Sequence, residues 1–275
     1  MNRKSAIDTR NSVTNTLSLF DSHCHLDDRS YSRDLEGALQ NARDAGVNGI
    51  MTVGVDLKSS QRAVELAESN NRVYAAVGVH PHDAKSCDET VIKALKLLAG
   101  KKVVRAWGEI GLDFNRMYSP REDQEKWFVR QIQAADSLDL PMIFHERDSQ
   151  GRFLEILKTH LNPNNKGVVH CFSGNAADVS AYLDMGLYIG ITGIVTIKTR
   201  GSDLRKLIPE IPLNRLLVET DAPYLTPAPQ KNKTRRNEPA FVKSILLKLA
   251  DVRQEDPGKL AEETTANAQR LFNIP

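Results

Sequence analysis

The chain has 275 residues, of which 40% are hydrophobic and 26% are charged, and its 37 Lys+Arg against 35 Asp+Glu leave a net charge of +2. This composition is typical of a globular protein and excludes a mostly disordered or fibrous chain. The small net charge excludes a strongly basic surface that would bind duplex DNA. Three cysteines are too few for a disulfide framework, so a reducing, cytoplasmic location is expected.

The N-terminal segment differs from the rest of the chain. Residues 1–17 are polar and lack the apolar stretch of a secretory signal, so we expect a flexible tail at 1–17 and a single domain at 18–275. No apolar run approaches the roughly 18 residues needed to cross a bilayer. We therefore expect no membrane partner, and no obligate protein partner is evident.

Short runs rich in Val and Ile alternate along the chain with longer segments whose apolar residues recur every three or four positions. The short runs predict buried strands, and the longer segments predict helices. Eight strands are predicted, at 17–21, 47–55, 73–79, 103–110, 141–144, 167–169, 187–191 and 216–219. Most of the strand ends are spaced by about thirty residues, the size of one βαβ unit. An α/β fold, a single-domain (β/α)8 TIM barrel, is expected, and a doubly wound open sheet is the alternative.

Two helices have recognisable ends. A helix at 34–45 is followed by Gly46, a residue that commonly ends helices. A helix at 120–138 is predicted to begin with a capping box formed by Ser119 and Glu122. Its buried face would consist of Phe128, Ile132, Ala135 and Leu138.

Polar residues collect where the predicted strands end, which in a TIM barrel is the catalytic face. Six of the seven histidines lie at these ends, and only His160 lies elsewhere. Residues two apart on a strand point the same way, so His23 and His25 are expected to face the barrel axis. By the same alternation Cys24 and Cys171 are expected to pack away from it. A single histidine at such a place is usually a hydrogen-bonded rim residue, but the joint pattern predicts a metal or catalytic centre.

The strand-end residues form a mixed set of nitrogen and oxygen donors. Such a set suits Zn²⁺, Mn²⁺ or a similar divalent ion better than Ca²⁺, which binds oxygen alone. Six donors exceed what one tetrahedral ion needs, whereas two ions about 3.5–4 Å apart would use them all. We therefore expect two divalent ions, Mg²⁺, Mn²⁺ or Zn²⁺. The candidate ligands are His23, His25, Glu109, His145, His170 and Asp221.

Six ordered motifs resemble the TatD family of metal-dependent deoxyribonucleases, a branch of the amidohydrolase superfamily of metal-bearing TIM barrels. They read DSHCHLD at 21–27, GVHPH at 78–82, GEIGLDF at 108–114, HERD at 145–148, HCFSG at 170–174 and ETDAPYL at 219–225. The resemblance extends from about residue 17 to the end of the chain. An HxH pair alone is a weak signal, but six motifs in order at barrel spacing are a specific one.

The resemblance also implies roles for the candidate residues. One ion would be held by His23, His25 and Asp221, and the second by His145 and His170, with Glu109 bridging both. Asp221 would in addition accept the proton of the attacking water. A separate expectation for His80 comes from its position at the end of the neighbouring third strand. There it would hydrogen-bond a nonbridging phosphate oxygen or protonate the leaving group, and the alternative is a polar rim residue without a catalytic role. The predicted catalytic residues are thus Asp221, Glu109 and His80.

The expected activity is hydrolysis of DNA phosphodiester bonds by a water activated between two metal ions. A modest net charge suits a deep site that admits a single-stranded or frayed end, so exonuclease action is favoured, and the resemblance implies 3′-to-5′ polarity. Phosphate contacts are predicted for Arg147, just beyond His145, and for Arg235 and Arg236 in an irregular loop at 226–239. Relatives commonly read RGKRNEP there, and this chain keeps RNEP.

Two other functions fit parts of the pattern. The same ions would serve a hydrolase of amides or esters, such as a D-aminoacyl-tRNA deacylase, because the fold does not choose the bond. The basic loop favours a phosphate-bearing substrate but does not separate DNA from an aminoacyl-tRNA. A binding protein with a vestigial site is the second alternative, although none of the six candidate ligands is missing.

Overall fold

A computed structural model describes residues 17–275, which form a (β/α)8 barrel. The parallel strands follow one another around the sheet in chain order. They are β1 (Leu19–Cys24), β2 (Val47–Val53), β3 (Val73–Val77), β4 (Val104–Asp113), β5 (Met142–Arg147), β6 (Gly167–Val169), β7 (Tyr188–Ile191) and β8 (Leu216–Val218). The cylinder closes just after β8, where the His25 N–H donates to the Ala222 carbonyl (2.7 Å). The expected tail at 1–17 lies, apart from Leu17, outside the described residues.

Helices follow the strands and cover the outside of the barrel. Within residues 17–275 they are α1 (Leu35–Asp44), α2 (Leu57–Ser69), α3 (Glu89–Ala99), α4 (Arg121–Asp136), α5 (Arg152–His160), α6 (Ala176–Asp184), α7 (Ser202–Leu207), α8 (Ala228–Lys231), α9 (Val242–Arg253) and α10 (Pro257–Leu271). In this part of the chain, no helix is long and apolar enough to cross a membrane. Gly46 follows α1 with φ of 92°, the left-handed conformation expected of a residue that ends a helix.

The start and the end of α4 differ from the prediction. Pro120 is the N-cap, no side chain caps this helix, and the predicted capping box is therefore wrong. The Ser119 hydroxyl is engaged elsewhere, because it donates to the His82 carbonyl (2.8 Å) and accepts the Lys85 N–H (3.0 Å). Leu138 lies beyond the helix and is 38% exposed, so only the other three residues of the predicted face are buried.

Apolar residues fill the barrel beneath its carboxyl-terminal face. Met51, Ala106 and Leu217 belong to one buried cluster that also contains Phe272, which follows α10. Leu217 precedes Glu219 and Asp221 on the same side of its strand, so this cluster lies deeper in the barrel than the polar residues. This apolar cluster fills the interior of the barrel, and the polar residues at the strand ends occupy the carboxyl-terminal face above it.

Candidate active site

Glu109 of β4 lies at the centre of the polar strand ends and is only 3% exposed. Its Oε1 is 2.7 Å from Nδ1 of His145, 3.6 Å from Nε2 of His80 and 3.8 Å from Nε2 of His170. Its Oε2 is 3.4 Å from Nε2 of His23. The carboxylate thus faces imidazoles on two sides, which is the arrangement that a bridge between two cations requires.

A second carboxylate, Asp221, closes the other side of the cluster. Its Oδ1 is 3.4 Å from Nε2 of His25 and 3.9 Å from Nε2 of His170. The Nε2 atoms of His23 and His25 are 3.3 Å apart and face each other. The structure therefore brings together all six residues that the sequence nominated as ligands.

His170, Cys171 and Asp221 have donor atoms within 4.8 Å of one another, and so do three overlapping groups of His, Glu and Asp side chains at the strand ends. The three groups are His23–His25–Asp221, His23–Glu109–His170 and His80–Glu109–His145. The first group contains the residues expected at one ion. The other two share Glu109, but one places His170 with His23 and the other places His145 with His80. His145 and His170, which were expected to hold the second ion together, therefore do not fall within one such group. Nitrogen and carboxylate donors in this number fit divalent ions such as Zn²⁺ or Mn²⁺.

Outer partners orient two of the imidazoles. Nδ1 of His25 donates to the Val53 carbonyl (2.9 Å), which leaves Nε2 directed at the cluster. Nδ1 of His170 lies 2.8 Å from Oε1 of Glu219, a fully buried carboxylate that also accepts the Cys171 N–H (2.7 Å). Such partners fix which ring nitrogen is available to a metal.

Opposite charges stabilise one another within the cluster. Burial opposes ionisation of Glu109, but the imidazoles of His80, His23 and His170 hold its pKa well below the ordinary value. Burial would also lower the pKa of His25 and of His145, yet the facing carboxylates raise each to about 9. The cluster therefore favours positive charge at its centre, as a cation site must.

A cavity of about 520 Å³ opens above the cluster and is lined by His80, His82 and every candidate ligand except His23, which is fully buried beneath it. Arg147 lies in its wall, where the sequence placed a phosphate contact. Arg116, in the turn after β4, and Arg200, in the loop after β7, also line it and were missed. Among residues 17–275, no carboxylate lies within ion-pair distance of these three arginines. Their positions just beyond strand ends were the available signal.

The two arginines of the loop after β8 lie apart from the cavity wall. Arg236 is held by Asp34 (2.7 Å) and Glu238 (2.8 Å), and its guanidinium lies over the Tyr31 ring. Arg235, in the same loop, is exposed to solvent and does not line the cavity. Phosphate contact by Arg235 and Arg236 stays a prediction, and the ion pairs of Arg236 give it a competing structural role.

The two cysteines next to the strand-end histidines behave differently. Cys24 is fully buried in the outer core, as strand alternation predicts. Cys171 lines the cavity, so the expectation that it packs away from the site is wrong. Its φ of 48° shows why, because the chain leaves the extended conformation directly after His170 and strand alternation no longer applies.

Comparisons with known proteins agree with this geometry. A profile of TatD related DNases matches residues 20–273. Proteins named 3′-5′ ssDNA/RNA exonuclease TatD from Klebsiella pneumoniae and Escherichia coli K12 are 43% and 42% identical over 258 residues, covering 93% of this chain and 98% and 99% of theirs. The crystal structure of YJJV, a TatD homolog from Escherichia coli K12, superposes with a TM-score of 0.86 at 32% identity, covering 94% of this chain and 98% of that one. The chain therefore belongs to the TatD family of DNases.

Proposed function

We propose that this protein is a 3′-to-5′ exonuclease that removes nucleotides from single-stranded or frayed DNA. The observation that carries the proposal is the position of Glu109 at the floor of an arginine-lined cavity, where Oε2 faces His23 and Oε1 faces His145, His80 and His170. Relatives at 42–43% identity are named 3′-5′ ssDNA/RNA exonucleases, which supports the polarity and the single-stranded substrate. Location in the cytoplasm, inferred from cysteine usage, and DNA as the principal partner remain part of this proposal.

Two divalent ions, Mg²⁺, Mn²⁺ or Zn²⁺, are proposed as cofactors. One would be held by His23, His25 and Asp221, and the other by His145 and His170, with Glu109 between them. When bound, the ions lower the pKa of the attacking water and offset the charge of the phosphoryl transition state. Asp221 borders the cavity with a side chain that is 15% exposed, so its carboxylate is accessible to take the proton of that water.

His80 fits the role of hydrogen-bond donor to a nonbridging phosphate oxygen. Its Nδ1 accepts the His82 N–H (3.0 Å), so the ring proton of the neutral form is on Nε2, beside Glu109. Burial lowers the pKa of His80 well below its ordinary value. A neutral ring donates a hydrogen bond but does not carry an extra proton, so we favour this role for His80 over protonation of the leaving group.

The charges around the cavity mouth are unequal, which suggests a path for the nucleic acid strand. The adjacent loops after β7 and β8 carry exposed cations without an ion pair to any described residue: Lys198, Arg200, Lys231, Lys233 and Arg235. A hydrogen bond from the Ala228 N–H to the Thr196 hydroxyl (2.8 Å) joins the two loops. Acidic residues of the loops after β1 and β3, namely Asp27, Asp28 and Asp83, line other parts of the cavity. We propose that the phosphate backbone crosses the loops after β7 and β8 and that Arg147 contacts the phosphate nearest the ions.

Two exposed aromatic rings flank the cavity and fit the terminal bases. Tyr118 and Tyr224 are 56% and 54% exposed and both line the cavity. An unpaired base stacks on such a ring, whereas a base held inside a duplex is not available to it. We propose that these rings favour a single-stranded end.

The direct test of this proposal is digestion of end-labelled, single-stranded oligonucleotides with Mg²⁺, Mn²⁺ or Zn²⁺. We expect a ladder that shortens one nucleotide at a time from the 3′ end. Asp221→Ala is expected to lower the rate by about 10²–10⁴-fold because the proton acceptor is removed. Asp203→Ala, at an 86% exposed carboxylate on α7, is the control and should cleave as the unaltered protein does.

Two outcomes would overturn the nuclease proposal. Equal cleavage by the Asp221→Ala variant would attribute the activity to a contaminant. Efficient deacylation of D-aminoacyl-tRNA together with no cleavage of any oligonucleotide would favour the ester-hydrolase alternative on the same ions.

A further inference from the structure

Asp113, the last residue of β4, is a buried carboxylate that faces two imidazoles. It is 1% exposed. Its Oδ1 accepts the backbone N–H groups of Asn115 (3.0 Å) and Arg116 (2.8 Å). Its Oδ2 is 2.8 Å from Nε2 of His82 and 3.4 Å from Nε2 of His145. One oxygen is thus fixed by the backbone, and the other serves both rings.

The surroundings prevent the carboxylate from turning. The Asp113 N–H donates to Oε1 of Gln124 (2.8 Å), and Nε2 of Gln124 donates to the Asp113 carbonyl (3.2 Å) and to the Ser119 carbonyl (2.8 Å). Gln124 is itself buried in α4. Helix α4 therefore fixes the backbone of Asp113, while the N–H groups of Asn115 and Arg116 hold Oδ1 and leave Oδ2 beside His82 and His145.

The position of the Asp113 carboxylate bears on which ring nitrogen of His145 is free to bind an ion. Its Nε2 lies 3.4 Å from Oδ2 of Asp113 without forming a hydrogen bond and has no hydrogen-bond partner among the described residues, whereas its Nδ1 lies 2.7 Å from Oε1 of Glu109. His25 and His170 have the opposite arrangement, with Nδ1 turned to an outer partner and Nε2 to the cluster. A carboxylate only accepts hydrogen bonds, and each nitrogen of His145 faces one, Nδ1 that of Glu109 and Nε2 that of Asp113. Once Glu109 bound an ion it would no longer accept the Nδ1 proton, and Asp113 would then keep the proton on Nε2 and leave Nδ1 as the metal donor.

We propose that Asp113 is a positioning residue that selects Nδ1 of His145 as the nitrogen that binds the second ion. The inference rests on the two-ion site proposed above, but not on the choice of substrate. His82 shares the same oxygen and lines the cavity, where its ring meets Tyr118 edge-on with centroids 4.8 Å apart. Asp113 therefore lies between His82, which faces the cavity, and His145, a proposed metal ligand.

The variant Asp113→Asn tests this selection because it reverses one hydrogen bond. The two backbone N–H groups that face Oδ1 require an acceptor, so the amide oxygen will take that position. The amide NH₂ then points at the imidazoles and donates to Nε2 of His145. The ring proton moves to Nδ1, where it competes with the ion.

The measurement is titration of the metal-free full-length protein with Mn²⁺ or Zn²⁺ by calorimetry. We expect two ions to bind the unaltered protein, and we expect Asp113→Asn to weaken one of them by about 10–100-fold while the other is unchanged. Asp83→Asn is the matched control, since it removes one negative charge from the same cavity wall without touching a ring nitrogen of His145. His82→Gln should also leave both affinities unchanged, because Asp113 then serves His145 alone.

The outcomes separate this inference from the proposed function. No ion bound to the unaltered protein would overturn the two-ion site itself, whereas two ions bound equally well by Asp113→Asn would overturn the role of Asp113. A second measurement does not depend on the folding of any variant. Long-range ¹H–¹⁵N NMR of the unaltered, Zn²⁺-loaded protein should show metal coordination at Nδ1 of His145 and at Nε2 of His170, and coordination of His145 through Nε2 would contradict the inference.

Discussion

At the scale of single residues, some imidazole rings of the site have one nitrogen beside an oxygen that lies outside the ligand cluster. Glu219 illustrates this, because Oε1 is shared by Nδ1 of His170 and the Cys171 N–H, and Oε2 accepts the Ser22 hydroxyl (3.1 Å). Burial opposes ionisation of Glu219, but the charge on His170 keeps its pKa below the ordinary value. An ionised carboxylate at this place can only accept, which keeps the His170 proton on Nδ1.

Glu219→Gln should therefore weaken the ion that His170 binds. We expect about 10–100-fold lower affinity for Mn²⁺, measured by titration, because the amide can present a donor to Nδ1 and displace its proton to Nε2. Glu210→Gln, at an exposed residue of the loop before β8, is the control. Unaltered affinity in Glu219→Gln would show that the carboxylate does not orient the ring.

Residue-scale prediction from sequence succeeded where strand geometry alone determined the answer. The candidate ligands were found because parallel strands end on one face and alternate side chains face the axis. Arg116, Arg200 and Asp113 were not nominated as site residues, since their places depend on the path of the backbone after the strand. The left-handed φ of Cys171 is a further example, because nothing in its residue type predicts it.

At the scale of elements, the loop after β8 is held by Asn237, which is fully buried. Its Nδ2 donates to the carbonyls of Thr220 (2.8 Å) and Tyr224 (2.6 Å), which flank Asp221. Its own carbonyl accepts the Tyr31 hydroxyl (2.6 Å). Asn237 of the RNEP motif therefore holds the segment that carries Asp221 in place. This structural role does not depend on any contact with phosphate.

Asn237→Ala should destabilise the protein by about 2–3 kcal/mol, because it leaves two buried carbonyls without a donor. Urea unfolding measures the free energy of unfolding, and we expect the cleavage rate to fall as well, since the loop around Asp221 is loosened. Asn232→Ala, at an exposed residue of the same loop, should change neither quantity. Full stability of Asn237→Ala would contradict the structural role of the motif.

The elements themselves were predicted within a few residues, and the exceptions have physical causes. Strands β4 and β5 continue past their apolar runs because the ladder pairs Gly111 with His145 and Asp113 with Arg147. Apolar patterning cannot detect this extension, since it adds Gly111 and Asp113 to β4 and the polar residues 145–147 to β5. The predicted capping box does not form because the Ser119 hydroxyl hydrogen-bonds to His82 and Lys85, in a loop that is distant in sequence. A motif of neighbouring residues gives no information about such a distant partner.

At the scale of the whole molecule, the charge distribution predicts how salt affects nucleic acid binding. Lys198→Ala with Lys233→Ala removes two cations from the loops after β7 and β8. We expect the slope of log K against log salt to become shallower by about 1.4 for a single strand, or about 0.7 per lost phosphate contact. Fluorescence anisotropy with a labelled oligonucleotide and the Asp221→Ala protein measures binding without cleavage.

The matched control also removes two lysine charges, but at the other end of the barrel. Lys102 and Lys166 are exposed and precede β4 and β6, so they lie on the amino-terminal face. Lys102→Ala with Lys166→Ala should leave the slope unchanged. Equal slopes for the two double variants would remove the loops after β7 and β8 from the strand path.

Divalent ions should also stabilise the fold as a whole. Six side chains from distant strands converge on the cluster, so an ion that binds there binds the folded chain and not the unfolded one. At a concentration 100 times its dissociation constant, one ion adds about 2.7 kcal/mol to the free energy of unfolding. Thermal unfolding with EDTA and with added Mn²⁺ should therefore give a higher Tm with the ion, and an identical Tm would count against tight binding at the strand ends.

The central claim is that Glu109 separates two cations held by imidazoles and Asp221, and anomalous X-ray diffraction from a crystal of the protein grown with Mn²⁺ tests it most directly. The account predicts two peaks on either side of the Glu109 carboxylate, one in contact with His23, His25 and Asp221 and the other with His145 and His170. A single peak, or peaks that lie away from Glu109, would contradict it.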